Sequence, residues 1–132
     1  MDARVITVVA VGAVIVFLLY NSYILFPRER AFVSLSPEEF YRLIQKEDVF
    51  VVDVHVPEQE HIPGTDVWIP YNRIEEFADV LPEDKNAKIL VYCRSGHMSK
   101  IAASKLAQMG YSNIYDLDGG INAWKRAGLP MS

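Results

Sequence analysis

The stretch KILVYCRSGHMS, residues 88–99, decides the fold. Apart from Lys88, its first five residues are aliphatic or aromatic, which predicts a strand buried on both faces. Cys93 follows directly, and a short polar loop leads into a helix from about Ser99, with Ile101, Ala102, Leu106 and Met109 facing inward. A strand that passes through a polar loop into a helix predicts a βα unit. In open α/β sheets, ligands bind at this junction.

The chain from residue 31 onward alternates in the same way between strand and helix patterns. Further strands are predicted at residues 31–35, 49–54, 67–69 and 113–117. Helices are predicted from a Ser36 N-cap followed by Pro37, over residues 74–81, and over residues 121–127. Strands that alternate with helices predict an α/β fold of three layers, in which helices flank both faces of a mostly parallel sheet.

The N-terminal segment has a different composition, because residues 5–26 carry no charged side chain. A helix of about 20 apolar residues spans the roughly 30 Å hydrocarbon core of a bilayer. Tyr20 and Tyr23 lie near its C-terminal end, where amphipathic rings favour the headgroup region. We predict an N-terminal tail over residues 1–4, a transmembrane helix over 5–26, a linker over 27–30 and one domain over 31–132.

Two other interpretations of this segment are a cleaved signal peptide and a buried core helix. A signal peptide needs small residues at its cleavage site and has a shorter apolar region, whereas residues 20–23 are Tyr-Asn-Ser-Tyr. A helix that is apolar all round is either buried in a core or spans a membrane, and here a complete domain pattern follows downstream without it. A single-pass membrane protein is therefore predicted. Arg4 on one side and Arg28 with Arg30 on the other nearly balance, so the side of the membrane stays open.

Charge and cysteine content exclude several classes of function. The net charge is −4 and the domain has no basic stripe, so no nucleic-acid partner is predicted. The single cysteine, Cys93, cannot form an internal disulfide and offers no Cys-x-x-Cys zinc site. Cys93 must therefore act as a free thiol or with a group from outside the chain.

The position of Cys93 favours a reactive thiol. Backbone N–H groups of a tight turn and the N-terminus of a helix stabilise an anion, including a thiolate. Gly96 suits a loop backbone that needs positive φ, and Arg94 adds a fixed positive charge. The alternative is that Cys93 is a small buried apolar residue at a strand end, as free cysteines often are.

Several segments of the chain resemble the rhodanese homology domain, from about Ala31 to Pro130. They occur in the order of the family's motifs. They are Val51-Val52-Asp53-Val54, His61-Ile62-Pro63-Gly64-Thr65, Ile69-Pro70, Val91-Tyr92-Cys93-Arg94-Ser95-Gly96, Ala107-Gln108-Met109-Gly110-Tyr111 and Leu117-Asp118-Gly119-Gly120-Ile121-Asn122-Ala123-Trp124. The first matches the family's V-D-V strand, the fourth its Y-C-R-S-G active-site loop, and the last its L-x-G-G-[IV]-x-A-W signature. The resemblance implies a rhodanese-like fold.

The resemblance also implies a sulfurtransferase, which needs no metal and no organic cofactor. Cys93 would take sulfur from a small sulfane-sulfur donor, hold it as a persulfide and release it to a thiol, cyanide or protein acceptor. Its substrate-binding loop would comprise Arg94, Ser95, Gly96, His97, Met98 and Ser99. Asp53, His55 and His61 are candidates for a supporting layer around that loop.

Three departures from the family pattern bear on function. Met98 stands where the family loop usually has a second arginine, His55 stands where an arginine follows D-V, and the segment 58–62 is about two residues short. The change at residue 98 should weaken binding of anionic donors such as thiosulfate. It also argues against a phosphatase, whose loop needs an arginine at this place to grip the oxyanion. A non-enzymatic rhodanese-like module, tethered to bind proteins or sense redox state, is therefore the alternative function.

For most of the remaining candidate residues, the sequence favours a role in structure over a role in chemistry. Asp53 on a buried strand is expected to be a hydrogen-bonded acid rather than a general base. His61 is expected to pack and hydrogen-bond in its turn, and Trp124 is expected in the core. His97 could either steer the acceptor or face solvent, and the sequence does not decide between them.

Overall fold

The computed structural model describes residues 1–25 and 30–132. Their contacts divide the chain into two units, Met1–Arg30 and Ala31–Ser132. The first unit contains one helix, α1, over Ala3–Leu25. Its stretch Ala3–Tyr23 is long and apolar enough to cross a membrane. The predicted end of the transmembrane helix at Phe26 and most of the predicted linker lie outside the described residues.

The second unit is built on one five-stranded sheet. Its strands are β1 (Val33–Leu35), β2 (Phe50–Asp53), β3 (Val67–Trp68), β4 (Ile89–Tyr92) and β5 (Ile114–Leu117). Their order across the sheet is β1-β5-β4-β2-β3, and every neighbouring pair is parallel. The strand β4 that leads to Cys93 therefore lies at the centre, between β5 and β2.

The helices of this unit are α2 (Pro37–Lys46), α3 (His97–Gln108) and α4 (Gly120–Arg126). The Ser36 hydroxyl accepts a hydrogen bond from the Glu39 N–H at 3.2 Å, which is the predicted N-cap. Residues 74–80 form a 3₁₀ helix with a non-helical break at Phe77, where a regular amphipathic helix was predicted. The break at Phe77 divides the segment into two pieces, each too short for the repeated i to i+4 bonds of an α-helix.

Two buried clusters lie on opposite faces of the sheet, as the alternation along β4 shows. Ile89, Val91 and Cys93 belong to one cluster, together with Ala102 and Leu106 of α3. Leu90 and Tyr92 belong to the other, with Phe40 of α2 and Trp124 of α4. Successive side chains of a strand point to opposite faces, so both faces of β4 are covered. The predicted three-layer α/β fold, with helices on both faces of a parallel sheet, is confirmed.

Candidate active site at the end of the central strand

The Cys93 thiol lies where β4 ends and points to the face covered by α3. Cys93 is only 1% exposed to solvent. The Gly96 N–H donates to Sγ at 3.0 Å, from the residue that precedes the first turn of α3. Gly96 has a φ of +98°, in agreement with the conformation that the sequence predicted for it. Because Gly96 has no side chain with which to cap α3, the first-turn N–H groups of the helix remain available to an anion.

Helix α4 holds the loop from the other face of the sheet. The Ile121 N–H donates to the Cys93 carbonyl at 2.9 Å, and the Asn122 N–H donates to the Arg94 carbonyl at 3.0 Å. This contact needs glycine at residue 120, because a Cβ there would lie 2.5 Å from the carbonyl oxygens of Cys93 and Arg94. The glycine pair of the L-x-G-G segment thus allows the backbone of α4 to touch the backbone of the cysteine loop.

A buried network adjoins the thiol on the α3 side. The Ser99 hydroxyl lies 3.6 Å from Sγ, and it donates a short hydrogen bond to Asp116. Lys100 Nζ donates to Asp116 Oδ2 at 2.9 Å and to the Gly96 carbonyl at 3.3 Å. Partial burial opposes the charge of Lys100, but the contacts with Asp116 outweigh it and raise its pKa. The sulfur atom, a hydroxyl, a carboxylate and an ammonium thus lie in one connected group.

The other side chains of the predicted loop point away from Sγ or are exposed. Arg94 and Ser95 are exposed, and Arg94 lines a recess beside α4 with Glu60 and Lys125. Met98, in the place of the family's second arginine, is half-buried and packs against the core cluster that contains Cys93. His97 is exposed. The loop therefore brings the Gly96 N–H to the thiol, whereas Arg94 lines a separate recess.

His97 also lines a groove of about 600 Å³ that runs along α3. The opposite wall comes from residues 71–76, including Tyr71 and Arg73. Two ion pairs lie along it, between Arg73 and Glu76 at 2.6 Å and between Lys105 and Glu75 at 2.7 Å. The groove begins at the cysteine loop without including Cys93 itself.

The three supporting candidates cluster at the end of β2, on the face opposite to Sγ. Asp53 is fully buried and accepts from the His55 N–H at 3.0 Å, from Gln59 and from His61 Nδ1 at 2.8 Å. His61 Nε2 contacts Glu58 at 2.9 Å. Burial opposes the charge of His61, but the hydrogen bonds to Asp53 and Glu58 outweigh it and raise its pKa. His55 is buried, with Nδ1 2.7 Å from the Pro57 carbonyl.

Tyr92 connects this second cluster to the central strand. Its hydroxyl accepts from the Ile62 N–H at 3.1 Å and lies 2.7 Å from Thr65 Oγ1. Burial raises the pKa of Tyr92 and keeps the phenol protonated. Within residues 1–25 and 30–132, no group of three or more His, Cys, Asp or Glu side chains is arranged to hold a metal ion.

Comparison with known proteins identifies the family. The model of the rhodanese-like domain matches residues 36–127. The chain belongs to the rhodanese-like domain family. A sulfurtransferase from Allochromatium vinosum is 39% identical over 93 residues, covering 68% of this chain and 84% of that protein. A thiosulfate sulfurtransferase from Actinobacillus succinogenes is 34% identical over 104 residues, covering 76% of this chain and 91% of that protein.

A solved structure supports the same assignment. The rhodanese-related protein from Thermoplasma volcanium superposes with a TM-score of 0.63 at 29% identity, covering 74% of this chain and 95% of that chain. The resemblance predicted from the sequence motifs is therefore confirmed over the second unit. The residues that match the family model include the whole Cys93 loop, residues 93–99.

Sequence reasoning missed Asp116 and gave Lys100 no geometric role. A signal for Asp116 is present in Ile114-Tyr115-Asp116-Leu117, where an acid interrupts a strand that is otherwise apolar or aromatic. Buried carboxylates need partners, so such an acid predicts donors nearby. It does not reveal that those donors are Ser34, Ser99 and Lys100.

Proposed function

We propose that this chain is a membrane-anchored sulfurtransferase or persulfide carrier, which moves sulfane sulfur through a persulfide on Cys93. The observation that carries the proposal is the Gly96 N–H at 3.0 Å from Sγ, directly before the first turn of α3. Donors so placed stabilise a thiolate and the negative terminal sulfur of a persulfide, as an oxyanion hole stabilises an oxyanion. The names of the sulfurtransferase relatives support the same reaction class.

The proposed reaction has two half-reactions. The Cys93 thiolate attacks the outer sulfur of the donor, a new S–S bond forms, and the donor's own S–S bond breaks. Its electron pair leaves on sulfite when the donor is thiosulfate, or on a thiolate when the donor is a persulfide. An acceptor thiolate then attacks the terminal sulfur, becomes a persulfide itself and releases the Cys93 thiolate. No electrons are gained or lost overall.

A turnover assay tests this proposal. The full-length chain in mild detergent is given glutathione persulfide or thiosulfate as donor, and a thiol or cyanide as acceptor. We expect catalysed transfer that falls to the background rate in Cys93→Ser, because a hydroxyl is a far weaker nucleophile than a thiolate. Absence of transfer with every donor, or transfer unchanged in Cys93→Ser, would favour the alternative of a non-enzymatic binding module.

Helix α1 supports the anchoring part of the proposal. Residues 3–20 are exposed in the first unit, whereas a core helix of this composition would be buried. The run also exceeds the apolar region of a signal peptide. We expect the expressed protein to stay with membranes after a high-salt wash and to retain its N-terminal residues by mass. A soluble, shortened product would contradict the anchor.

A further inference from the structure

Asp116 occupies a position on β5 that places its carboxylate beside the reactive thiol. Alternate residues of β5 face opposite sides of the sheet, and Ile114 belongs to the same core cluster as Cys93. Asp116 therefore faces that side as well, and none of its surface is exposed. Three side chains donate to it: Ser34 at 3.0 Å, Lys100 at 2.9 Å, and Ser99 through the short bond.

The ammonium group of Lys100 lies beside the loop, and Asp116 binds it. Its ammonium group contacts the Gly96 carbonyl at 3.3 Å, while the N–H of the same glycine contacts Sγ. It also lies 3.7 Å from Asp118 Oδ1. The ammonium therefore already lies at the loop, and the carboxylates of Asp116 and Asp118 compensate its charge there.

Arg94 is the one lysine or arginine within residues 93–99, and the hydrogen bonds of Sγ are to Gly96 and Ser99 instead. Arg94 follows Cys93 and lines the recess beside α4, on the opposite side of the sheet. Met98 brings a half-buried thioether to the position that would otherwise carry the second arginine. The sulfur therefore accepts from the Gly96 N–H, and the ammonium of Lys100 beside the loop is already paired with Asp116.

This arrangement distinguishes between donors by their charge. Thiosulfate approaches a thiolate as a dianion, whereas an organic persulfide approaches as a monoanion or as a neutral acid. Repulsion between like charges grows with the product of the charges, so the dianion depends more strongly on an unpaired cation at the loop. Backbone N–H groups alone are sufficient for the smaller charge of the persulfide.

We propose that Asp116 is a specificity-determining positioning residue, which compensates the charge of Lys100 beside the Cys93 loop and so favours persulfide donors over thiosulfate. This inference rests on the proposed sulfur-transfer function. The raised pKa of Lys100 agrees with it, since the lysine stays charged and tied to Asp116 throughout the neutral range.

The test compares two donors in the same protein. We expect the full-length chain to use glutathione persulfide with a higher kcat/KM than thiosulfate. In Asp116→Asn the charge of Lys100 is no longer compensated by Asp116, and the ratio of the thiosulfate rate to the persulfide rate should rise about tenfold. Any general effect of the substitution on thiolate formation or folding alters both rates together, so the ratio isolates the change in charge.

Two further variants identify the cation and guard against loss of folding. Adding Lys100→Gln to Asp116→Asn should return the ratio to its original value, because the uncompensated ammonium of Lys100 is then absent. Met98→Arg, which leaves Asp116 in place, should raise the thiosulfate rate by supplying a cation at the other position. Melting temperatures of all variants show whether the domain is intact.

The outcomes separate the inference from the function on which it rests. Efficient thiosulfate use by the unaltered chain, or an unchanged ratio in a folded Asp116→Asn, would overturn the role of Asp116 and leave sulfur transfer standing. A ratio that rises in Asp116→Asn and is not reversed by Lys100→Gln would also overturn it. Failure of every donor to react would overturn both.

Discussion

Two buried carboxylates flank the central strand, and they differ in the face and in the partner that each one uses. Asp116 of β5 lies on the face of the Cys93 thiol and binds Lys100, a cation throughout the neutral range. Asp53 of β2 lies on the opposite face and binds His61, whose charge depends on pH. Both are fully buried. We propose that the face on which each acid lies decides its role, donor selectivity for Asp116 and stability for Asp53.

The largest expected effect concerns the Cys93 side of this comparison. Gly120→Ala should abolish sulfur transfer, because its Cβ would collide with the backbone of Cys93 and Arg94 and push the loop out of place. The matched control is Gly128→Ala, since Gly128 also has positive φ, +72°, and nothing lies within 4 Å of its Cβ position. The control should cost about 1–2 kcal/mol of stability and retain transfer.

Turnover and thermal unfolding of the two variants in detergent check this prediction. Equal losses of transfer in Gly120→Ala and Gly128→Ala would show that backbone strain, rather than contact with the cysteine loop, limits the reaction.

A smaller effect is expected on the Asp53 side. Asp53→Asn removes the charge that His61 contacts, and we expect the free energy of unfolding to fall by about 2 kcal/mol near pH 6. The ratio of thiosulfate to persulfide rates should not change, because Asp53 faces away from Sγ. Thermal melts and the two-donor assay measure both quantities. A shift in the ratio as large as that in Asp116→Asn would erase the distinction between the two acids.

The smallest expected effect is on the pH dependence of stability, and it arises from the titration of His61, the partner of Asp53. Its pKa in the folded protein is raised above the ordinary 6.5, so the folded state binds the proton more tightly than the unfolded chain. The resulting stabilisation is fully present below pH 6.5 and is lost as the pH rises through the raised value. His61→Gln keeps a donor for Asp53 without a titrating charge and should flatten this part of the curve.

Melting temperatures on either side of that range provide the measurement. Glu58→Gln removes the more exposed of the two carboxylates that His61 contacts, so it should leave an intermediate slope. If the melting temperature changes with pH equally steeply in the unaltered chain and in His61→Gln, a group other than His61 is responsible for the pH dependence.

The sequence predicted the elements of this fold better than it predicted the contacts within the site. The apolar run up to Tyr92 indicates a buried strand because all of its positions must be covered, and the structure buries each of them. The break at Phe77 could not be predicted, since four apolar positions at helical spacing fit a 3₁₀ helix as well as an α-helix.

For the cysteine loop as well, the sequence predicted the position of the element but not its tertiary contacts. Its position at the end of β4 follows from the strand, loop and helix pattern. The contact between Lys100 and Asp116 joins residues of α3 and β5, and it exists only because α3 lies over β5. The side on which Arg94 lies depends on the packing of α4 against the loop. Such relations follow from tertiary packing, which periodicity along one segment does not encode.

The central claim, that Cys93 carries sulfur, is tested most directly by the intact mass of the full-length chain after exposure to glutathione persulfide. We predict the addition of one sulfur atom to the unaltered chain, its removal by dithiothreitol, and no addition in Cys93→Ser. Removal by the reductant matters because two added oxygen atoms have the same nominal mass, and a sulfinic acid is not reduced by a thiol. An unmodified chain, or an equal addition in Cys93→Ser, would contradict the claim.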